Sequence, residues 1–299
     1  PMIALFDIGG TSIKYGVADE NREGFFLVGS GETDSNAKKI KGQGIEKKVI
    51  QLTEKMAGQY AISGISISTA GMVDAAKGRI VYANENIPEY TGLDWKTDIQ
   101  TYLHLPCEVE NDVNAAALGE YVYGAGAGCR SMLMMTIGTG IGGAIIQDGR
   151  ILRGHTNSAG EIGYMYMDGK AFQDIASTTA LVQTAQKLIG EKELNGRIIF
   201  KRAMEGDKIC AAAIEDICRK IAAGIFNCVC LLDPEVVLLG GGIMEQKEYL
   251  RPILDKCLRD IMTEETYKHM HLEFAALKNQ AGLAGAYYHF LIKNQIIGR

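Results

Sequence analysis

The chain has 299 residues, a hydrophobic fraction of 47%, a charged fraction of 22% and a formal net charge of −5 at pH 7. These values are typical of a globular protein long enough for two domains. The charge gives no indication of nucleic acid binding, and no apolar run reaches the roughly 18 residues of a membrane span. The seven cysteines form no CxxC pair, and no basic leader precedes the first apolar segment. We therefore expect a reduced, cytoplasmic protein.

The beginning of the chain predicts a β-hairpin followed by alternating helices and strands. Residues 2–8, "MIALFDI", are an apolar run that ends at two glycines, and "SIKYGVAD" at 12–19 returns from them. This pattern predicts a hairpin across the intervening "GGT". Periodicity then predicts a helix, two buried strands and a second helix, over 45–60, 62–68, 107–110 and 113–122.

The segment 131–149 repeats the beginning of the chain. "FDIGGTSIKYGVAD" and "MTIGTGIGGAIIQD" both contain an apolar run, Ile-Gly, a nearby Thr and a returning strand. Such a repeat predicts a duplicated hairpin, with one copy in each of two α/β domains. Farther along, the pattern predicts two helices, a strand that enters three glycines and a final helix, over 174–189, 210–232, 235–243 and 279–294.

Three glycine turns follow buried strands: Gly9-Gly10-Thr11, Gly138-Thr139-Gly140 and Gly240-Gly241-Gly242. Glycine lets backbone N–H groups approach phosphates closely, threonine hydroxyls add donors, and Lys14 adds a positive charge. An ordinary β-turn explains any one of them, but the three together predict a nucleotide triphosphate site. Walker A and Rossmann motifs are excluded, because those motifs need a helix directly after the glycines and here a strand follows.

Polar side chains lie at the ends of two predicted strands. Asp7 directly precedes the first glycines, a position that suits contact with Mg²⁺ through water; turn capping is the alternative. Asp112 is placed to take a proton from a substrate hydroxyl, and Asn111 to hold a neighbouring hydroxyl. Helix capping before 113–122 is the alternative for this pair.

Four segments together resemble the ROK family of sugar kinases and related repressors, which belongs to the actin/hexokinase-like ATPases. They are "FDIGGTSIKYG", "ENDVNAAALGE", "TIGTGIGGAIIQDGRILRG" and "AGEIGY", and the similarity runs from residue 3 to about 290. The resemblance implies an α/β fold of two duplicated domains with mixed sheets, which flank a cleft for ATP and sugar. Their implied bounds are 1–112 with about 283–299, and 113–282. ATP and Mg²⁺ as cofactors and a homodimer are implied as well.

The resemblance also assigns roles to matching positions. Asp112 resembles the catalytic base, whereas the Mg²⁺ contact expected of Asp7 rests on its position at the end of the strand. The residues that resemble the sugar site are Asn111, Glu161, Asn86 in "NENIP", and Thr69 and Gly71 of the "TAG" loop. The residues that resemble the ATP site are Gly9, Gly10, Thr11 and Lys14 in the first phosphate loop, Gly138, Thr139 and Gly140 in the second, and Gly240, Gly241 and Gly242 on the adenosine side.

The segment after Glu161 departs from the family pattern. Most members have Glu-x-Gly-His there, then a Cys-rich zinc loop and a second sugar-contacting Glu. Here Tyr164 replaces the His, and Gln173 falls where the second Glu is expected. No Cys occurs between Cys129 and Cys210, so we predict no zinc site. Tyr164 offers a flat ring for stacking on a sugar or an aglycone, whereas Met165 and Met167 are interpreted as core residues.

Bacterial β-glucoside kinases resemble the chain in this segment, with "GEFGYM" and no zinc loop. The first hypothesis is therefore ATP-dependent phosphorylation of the 6-hydroxyl of the glucose unit in β-glucosides such as cellobiose. A kinase of free glucose, N-acetylmannosamine or fructose is the alternative. A sugar-responsive repressor is disfavoured, because no helix-turn-helix precedes the first turn. A non-catalytic sugar-binding protein is disfavoured because Asp7, Asp112 and all three glycine turns are present.

Overall fold

The computed structural model describes residues 1–297 of the chain. The chain divides into two compact units. Unit 1 contains residues 1–127, 153–158 and the chain from 279 onward, and unit 2 contains 128–152 and 159–278.

The domain bounds expected from the resemblance stay a prediction. They assign 1–112 and about 283–299 to one domain, and residues 298 and 299 lie outside the described residues. The compact units group 113–127 and 153–158 with the first part of the chain. The helix at the start of 113–127 packs on the C-terminal helix of unit 1, which accounts for its place there.

The strands in residues 1–297 are β1 (Met2–Ile8), β2 (Ser12–Asp19), β3 (Leu27–Asp34), β4 (Ile62–Thr69), β5 (Met72–Asp74), β6 (Arg79–Tyr82), β7 (Cys107–Asn111), β8 (Ser131–Ile137), β9 (Ile141–Gln147), β10 (Arg150–Ile151), β11 (Tyr166–Met167), β12 (Lys170–Ala171), β13 (Val236–Gly240) and β14 (His271–Phe274). The α-helices are α1 (Ala37–Ala57), α2 (Trp95–Leu103), α3 (Asp112–Tyr123), α4 (Phe172–Ala176), α5 (Thr178–Ile189), α6 (Gly196–Met204), α7 (Lys208–Leu232), α8 (Lys247–Ile261), α9 (Glu264–His269) and α10 (Ala281–Lys293). Short 3₁₀ helices cover Ile162–Tyr164, Gly242–Glu245 and Lys278–Gln280.

The main sheet of unit 1 has the strand order β3-β2-β1-β4-β7. β1 pairs antiparallel with β2 and parallel with β4, and β4 pairs parallel with β7. The two strands of the hairpin have the predicted bounds, because each strand is an apolar run that borders the glycine turn. The sequence pattern does not predict β3, since this strand is only partly buried and contains two glycines that face the hydroxyls of Tyr15 and Tyr60.

The main sheet of unit 2 repeats this arrangement. Its order is β10-β9-β8-β13-β14. β8 pairs antiparallel with β9 and parallel with β13, and β13 pairs parallel with β14. The duplicated hairpin predicted from the sequence therefore opens two sheets of the same strand order and direction.

The predicted helices are present, and several of them have different bounds. The apolar face of the predicted helix 210–232 is buried in α7, which begins two residues earlier after the cap Asp207. The predicted helix 174–189 is two helices, because Ser177 has extended backbone and its hydroxyl caps α5. The predicted helix 45–60 overlaps the later part of α1, which ends at Ala57. This helix starts at Ala37 and is interrupted at Lys41, where φ is 59°.

Close packing of α10 on α3 fixes the position of the helix that begins at Asp112. A Cβ atom on Gly285 would lie 1.6 Å from the Ala115 carbonyl oxygen, and one on Gly119 would lie 2.4 Å from the Ala281 carbonyl oxygen. The two backbones therefore touch directly, which only residues without side chains permit. The small-residue start of α10 is thus a packing surface for α3.

None of the helices in residues 1–297 combines the length and the apolar character that a bilayer crossing requires.

Candidate active site

The first glycine turn of unit 1 is held by hydrogen bonds to its backbone. The Gly9 N–H donates to the Ser12 carbonyl at 2.9 Å, and the Ser35 hydroxyl donates to the Gly10 carbonyl at 2.8 Å. A Cβ on Gly10 would lie 3.3 Å from Asn86, so this exposed amide residue packs over the turn. The structure therefore brings Asn86, Gly9, Gly10 and the exposed Thr11 together within unit 1.

Asp7 and Lys14 face each other across the hairpin that carries this turn. They are register partners in the β1–β2 ladder, and directly opposed residues point to the same side of a sheet. Burial raises the pKa of the Asp7 carboxyl, while a 2.8 Å hydrogen bond from the Ser68 hydroxyl and the Lys14 charge oppose that shift. A cation beside this carboxylate would offset the cost of its buried charge.

Asp7 fits a water-mediated contact with Mg²⁺. Its carboxylate supplies the hard oxygen donors that Mg²⁺ prefers, and Mg²⁺ keeps several waters when few carboxylates bind it. A Cβ on Gly282 would lie 2.6 Å from Asp7 Oδ2, so glycine at this position leaves room for the carboxylate. Within residues 1–297 no group of three or more His, Cys, Asp or Glu side chains is placed to hold a metal. The expected lack of zinc stays a prediction.

Asn111 is the N-cap of α3 and also anchors the "TAG" loop. Its Oδ1 accepts hydrogen bonds from the N–H groups of Val113 and Asn114 at 3.0 and 3.1 Å. Its Nδ2 donates to the Gly71 carbonyl at 2.7 Å. Asn111 therefore caps the helix, as the alternative interpretation of the sequence had it, and its role in a sugar site stays a prediction.

Asp112 is the first residue of α3 and is partly exposed. Its Oδ1 accepts a hydrogen bond from the Val113 N–H at 2.9 Å. A carboxylate in the first turn of a helix is stabilised in its charged form by the helix dipole. The charged form is the one that accepts a proton, so this position suits a general base.

Thr69 fixes the start of the "TAG" loop through its buried side chain. Its side chain is buried, and its hydroxyl lies 2.7 Å from the Tyr90 hydroxyl, to which the Trp95 indole N–H donates at 2.9 Å. Burial raises the pKa of Tyr90, so this hydroxyl stays neutral and can donate. Thr69 is thus placed to hold the loop, while Gly71, with φ of +104°, makes the turn to Asn111.

The turn of residues 160–164, here called the Glu161 turn, lies directly on the backbone of β9 in unit 2. A Cβ on Gly160 would lie 2.6 Å from the Gly143 carbonyl oxygen, and one on Gly163 would lie 2.3 Å from the Ile141 carbonyl oxygen. The glycines on either side of Glu161 therefore allow backbone-to-backbone contact. Glu161 itself is exposed, although partial burial among its neighbours raises the pKa of its carboxyl.

Tyr164 ends the same turn with its ring in solvent. It is 65% exposed, and no hydrophobic cluster in residues 1–297 includes it. Met165 and Met167 pack at the edge of the unit 2 core, where the sequence interpretation put them. Tyr164 therefore offers an aromatic face to a ligand beside Glu161.

Gln173 connects the Glu161 turn with the second glycine turn. Its Oε1 accepts from the Ile141 N–H at 3.4 Å, and it would lie 2.8 and 2.9 Å from Cβ atoms on Gly140 and Gly163. A neutral amide thus packs on backbone at the position where a second sugar-contacting Glu was expected. Its placement indicates a supporting role for both turns.

The second and third glycine turns meet in unit 2 at the N-terminus of α5. The Thr178 N–H donates to the Gly138 carbonyl at 2.8 Å, and the Thr179 hydroxyl donates to the Thr139 carbonyl at 2.9 Å. Gly241 has φ of +102°, and its Cβ would lie 2.0 Å from the Ile137 carbonyl oxygen. Only glycine fits there.

A cavity of about 940 Å³ opens beside these two turns and lies wholly within unit 2. Gly138, Thr139 and Gly242 line it on one side. Side chains of α5, α6, the loop before α6 and the 3₁₀ helix after β13 complete its wall. They include Val182, Gln183, Gln186, Leu194, Asn195 and Phe200 and the charged residues Arg197 and Glu245. An apolar cavity with a few convergent polar groups is typical of a small-molecule site.

Sequence reasoning missed a buried charged cluster behind the Asn111–Asp112 turn. Glu110 is fully buried and pairs with Arg153, and His289 lies beside it. A glutamate at the end of a predicted buried strand, directly before Asn111 and Asp112, was the local sign that a charged side chain is buried there. The pairing itself joins segments that are far apart in sequence, so no local pattern predicts it.

Comparison with known proteins identifies the family. The ROK family model matches residues 3–293. An uncharacterized protein of Clostridium perfringens is 47% identical, and a β-glucoside kinase of Listeria monocytogenes is 33% identical, each with 97% of both chains covered.

Two solved structures have the same fold. A ROK family protein of Streptococcus pneumoniae in complex with sucrose has a TM-score of 0.86 at 27% identity, with 99% of this chain and 100% of that chain covered. A ROK family glucokinase of Streptomyces griseus in complex with glucose and AMPPNP has a TM-score of 0.79 at 26% identity, with 98% and 100% covered. The expected ATPase-like α/β fold is confirmed. Because the family model matches nearly the whole chain, the chain belongs to the ROK family of sugar kinases.

Proposed function

We propose that the protein is an ATP-dependent β-glucoside kinase. It transfers the γ-phosphoryl group of ATP to the 6-hydroxyl of the glucose unit in β-glucosides such as cellobiose. The β-glucoside kinase of L. monocytogenes supports this substrate class, and the sucrose complex supports binding of a disaccharide by this fold. The single observation in this chain that most favours a glycoside is the solvent-exposed ring of Tyr164 beside Glu161.

The side chains of unit 1 supply the acid–base and charge chemistry of this proposal. Asp112 takes the proton of the 6-hydroxyl as that oxygen attacks, and Asn111 orients a neighbouring hydroxyl through its remaining amide N–H. Phosphoryl transfer also needs positive charge near the phosphates, which Lys14 provides. Mg²⁺, held by Asp7 through water, would neutralise phosphate charge when bound.

The cavity of unit 2 is the proposed site of the nucleotide. Its volume suits a nucleoside, and its apolar residues Val182, Leu194 and Phe200 fit the faces of a base. The amides of Gln183 and Asn195 offer donors and acceptors to the base and ribose. Gly138, Thr139 and Gly242 lie at the wall of the same cavity, and the backbone N–H groups of such turns are donors that suit phosphates. The Gly138 N–H itself donates to the Gly140 carbonyl at 2.9 Å.

Glycoside specificity is assigned to Tyr164 and Gln173. A flat aromatic ring stacks on the apolar face of a second pyranose ring or an aromatic aglycone. The Oε1 atom of Gln173 accepts a hydrogen bond from the Ile141 N–H. Because residue 173 is a glutamine, this position offers no carboxylate to bind the anomeric hydroxyl of a free sugar. Both features favour an acceptor whose anomeric oxygen is substituted.

A panel of acceptors tests the function. ATP consumption should be measured with cellobiose, gentiobiose, salicin, glucose, N-acetylmannosamine and fructose under identical conditions. We expect kcat/KM for the best β-glucoside to exceed that for each free hexose. Turnover of glucose far above that of every β-glucoside would replace this proposal by the free-hexose kinase, which the glucokinase among the structural relatives favours.

Tyr164→Ala tests the specificity assignment, with Tyr166→Ala as its matched control. Both side chains are exposed and lie two residues apart, so neither change should affect folding. We expect Tyr164→Ala to raise KM for β-glucosides about tenfold, the scale of a lost aromatic contact, and to leave KM for ATP unchanged. Equal effects of the two variants on KM for the glycoside would contradict the assignment.

The predicted homodimer and the cytoplasmic location remain part of this proposal. Sedimentation velocity of the purified protein decides the first, and a predominantly monomeric species at micromolar concentration would contradict it.

A further inference from the structure

A fully buried carboxylate lies directly behind the Asn111–Asp112 turn in unit 1. Glu110 receives two hydrogen bonds from the Arg153 guanidinium, at 3.1 Å to Oε1 and 2.7 Å to Oε2. The Asn111 backbone N–H also donates to Oε1 at 2.8 Å, and the Asn114 amide donates to it at 3.2 Å. The Glu110 carboxylate thus contacts the Asn111–Asp112 turn, the first turn of α3 and an arginine that is distant in sequence.

The charge state of this cluster is set by its burial and its partners. Burial alone would raise the pKa of Glu110, but the charge of Arg153 and the hydrogen bonds from Arg153 and the Asn111 N–H hold that pKa below its ordinary value. Burial in turn lowers the pKa of His289, so this imidazole is uncharged at neutral pH. Arg153 is therefore the positive charge that balances Glu110.

A buried, bidentate pair of this kind is intolerant of losing one partner. Removing Arg153 leaves an uncompensated carboxylate with no exposure to water, which is costly in a low-dielectric interior. The carboxylate would relieve that cost by moving toward solvent or by taking up a proton. Either change alters its hydrogen bond to the Asn111 N–H.

The same turn determines where the base points. Asn111 caps α3, binds the Gly71 carbonyl and receives its own backbone support from Glu110. Asp112 follows directly. Because all of these contacts involve neighbouring backbone atoms, a shift of the Glu110 carboxylate moves the start of α3 and the Asp112 side chain with it.

Arg153 also begins the segment that leads to the Glu161 turn. Residues 153–158 belong to unit 1, whereas the chain on either side of them belongs to unit 2. The ion pair of Arg153 with Glu110 therefore attaches residues 153–158 to the rest of unit 1.

We propose that Arg153, acting through Glu110, is a positioning residue that holds the Asn111–Asp112 turn in its reactive geometry. This inference builds on the proposed kinase function. Misplacement of a reacting group by about 1 Å costs up to about 10² in rate, and the hydrogen bonds and the ion pair that Arg153 makes in residues 1–297 go to Glu110. Loss of Arg153 should therefore reduce kcat without weakening ATP binding.

Chemical rescue of Arg153→Ala tests this proposal. The Arg153 side chain is 32% exposed, so free guanidinium can enter the space that the substitution leaves. We expect kcat to fall roughly 10- to 100-fold, with KM for ATP near the wild-type value, and guanidinium at millimolar concentration to restore a substantial part of it. Arg150→Ala, an exposed arginine three residues earlier, is the control and should show neither effect; urea is the control additive.

Amide hydrogen exchange gives a readout that needs no sugar. We expect exchange in a peptide covering residues 107–118 to rise roughly tenfold in Arg153→Ala and to return toward wild type with guanidinium, while peptides of unit 2 are unchanged. If Arg153→Ala does not fold, Arg153→Lys carries the test, because it keeps the charge and loses the bidentate geometry; it should lower kcat and leave KM for ATP unchanged.

The outcomes separate this inference from the proposed function. Wild-type protein that phosphorylates no sugar of the panel would overturn the kinase proposal, and the exchange experiment would still decide the role of Arg153. Wild-type kcat and wild-type exchange in Arg153→Ala would overturn the positioning role. A loss of kcat that guanidinium does not restore, in a folded variant with unchanged exchange, would overturn it as well.

Discussion

The two units share one sheet arrangement but differ in what they bury. Both sheets have the same order and strand directions, and each begins with a hairpin across a glycine turn. All but one of the fully buried polar and charged residues in the described chain lie in unit 1, and Ser177 is the exception. Unit 2 instead combines a large apolar core with a cavity of about 940 Å³.

The hairpins show the same contrast at single positions. In unit 1, Asp7 faces Lys14 one residue outside the Ile8–Ile13 pair. In unit 2, the corresponding partners outside Ile137–Ile141 are Thr136 and Gly142. One backbone frame therefore presents a charged pair in the first copy and a neutral turn in the second. Side chains, and not topology, therefore distinguish the proposed metal and proton chemistry of unit 1 from the proposed nucleotide binding of unit 2.

Removing the proposed base, Asp112 of unit 1, should have the largest effect on turnover. We expect Asp112→Asn to lower kcat by a factor of about 10² or more, because an amide cannot accept the proton, while calorimetry shows sugar affinity near the wild-type value. Asp260→Asn, an exposed change on α8, is the control. Near-normal turnover in Asp112→Asn would remove this residue from the mechanism.

Unit 2 depends on close backbone packing, which Gly241→Ala tests. The added Cβ would lie 2.0 Å from the Ile137 carbonyl oxygen at a φ of +102°, so we expect a loss of about 2 kcal/mol or more in the free energy of unfolding. The neighbouring Gly242→Ala adds a Cβ with no atom within 4 Å. Its stability in denaturant should equal that of wild type, and equal losses in both variants would contradict the packing argument.

The contrast between the hairpins predicts unequal effects on ATP. Lys14→Met removes a charge and keeps chain length, so we expect KM for ATP to rise about tenfold, the scale of one charge-assisted contact. Thr136→Val, on the second hairpin, should change it little. Steady-state kinetics with varied ATP measures both, and a larger effect of the threonine variant would reverse the assignment.

The smallest expected effect concerns a carboxyl pair in unit 1. Burial, together with the hydrogen bond and the charge of Asp98, raises the pKa of Glu46 to about 8. The folded state therefore keeps a proton that the unfolded state releases above the ordinary value of 4.5. Stability contributed by this group is present at low pH and is lost as the pH rises toward about 8.

Glu46→Gln removes this dependence. We expect its unfolding midpoint to exceed that of wild type by roughly 2 °C at pH 9 and to match it near pH 5, as measured by thermal scans. Glu54→Gln, an exposed change on the same helix, should shift neither value. If the unfolding midpoint of wild type rises relative to that of Glu46→Gln as the pH increases, the charged carboxylate is stabilised in the folded state and the prediction is wrong.

Much of the fold and of the site's location follows from local sequence. The hairpin at Met2–Asp19 and the buried face of α7 were predictable because apolar periodicity and glycine turns mark them directly. β3 was not predictable, because it is partly exposed and contains two glycines. The break between α4 and α5 at Ser177 was missed as well, because its cap lies within an otherwise helical pattern.

The same limit applies to the site. Asp112 and the three glycine turns are visible as residue types at strand ends, and Glu161 is visible as a carboxylate between two glycines. The pairing of Glu110 with Arg153 joins residues 43 positions apart, and no local pattern connects them. The engagement of Thr69 with Tyr90 and of Gln173 with Ile141 also depends on contacts between separate elements.

Residue types at short spacing were enough to predict the duplicated hairpins and the three glycine turns, and four segments carried the resemblance to the family. The tertiary structure decided how those residues are used. It showed that the glycines around Glu161 allow backbone contact with β9. It also showed that the amide oxygen of Asn111 caps α3 and that Glu110 is buried against Arg153. These properties arise from close packing between segments distant in the chain, and such packing leaves no periodic trace in the sequence.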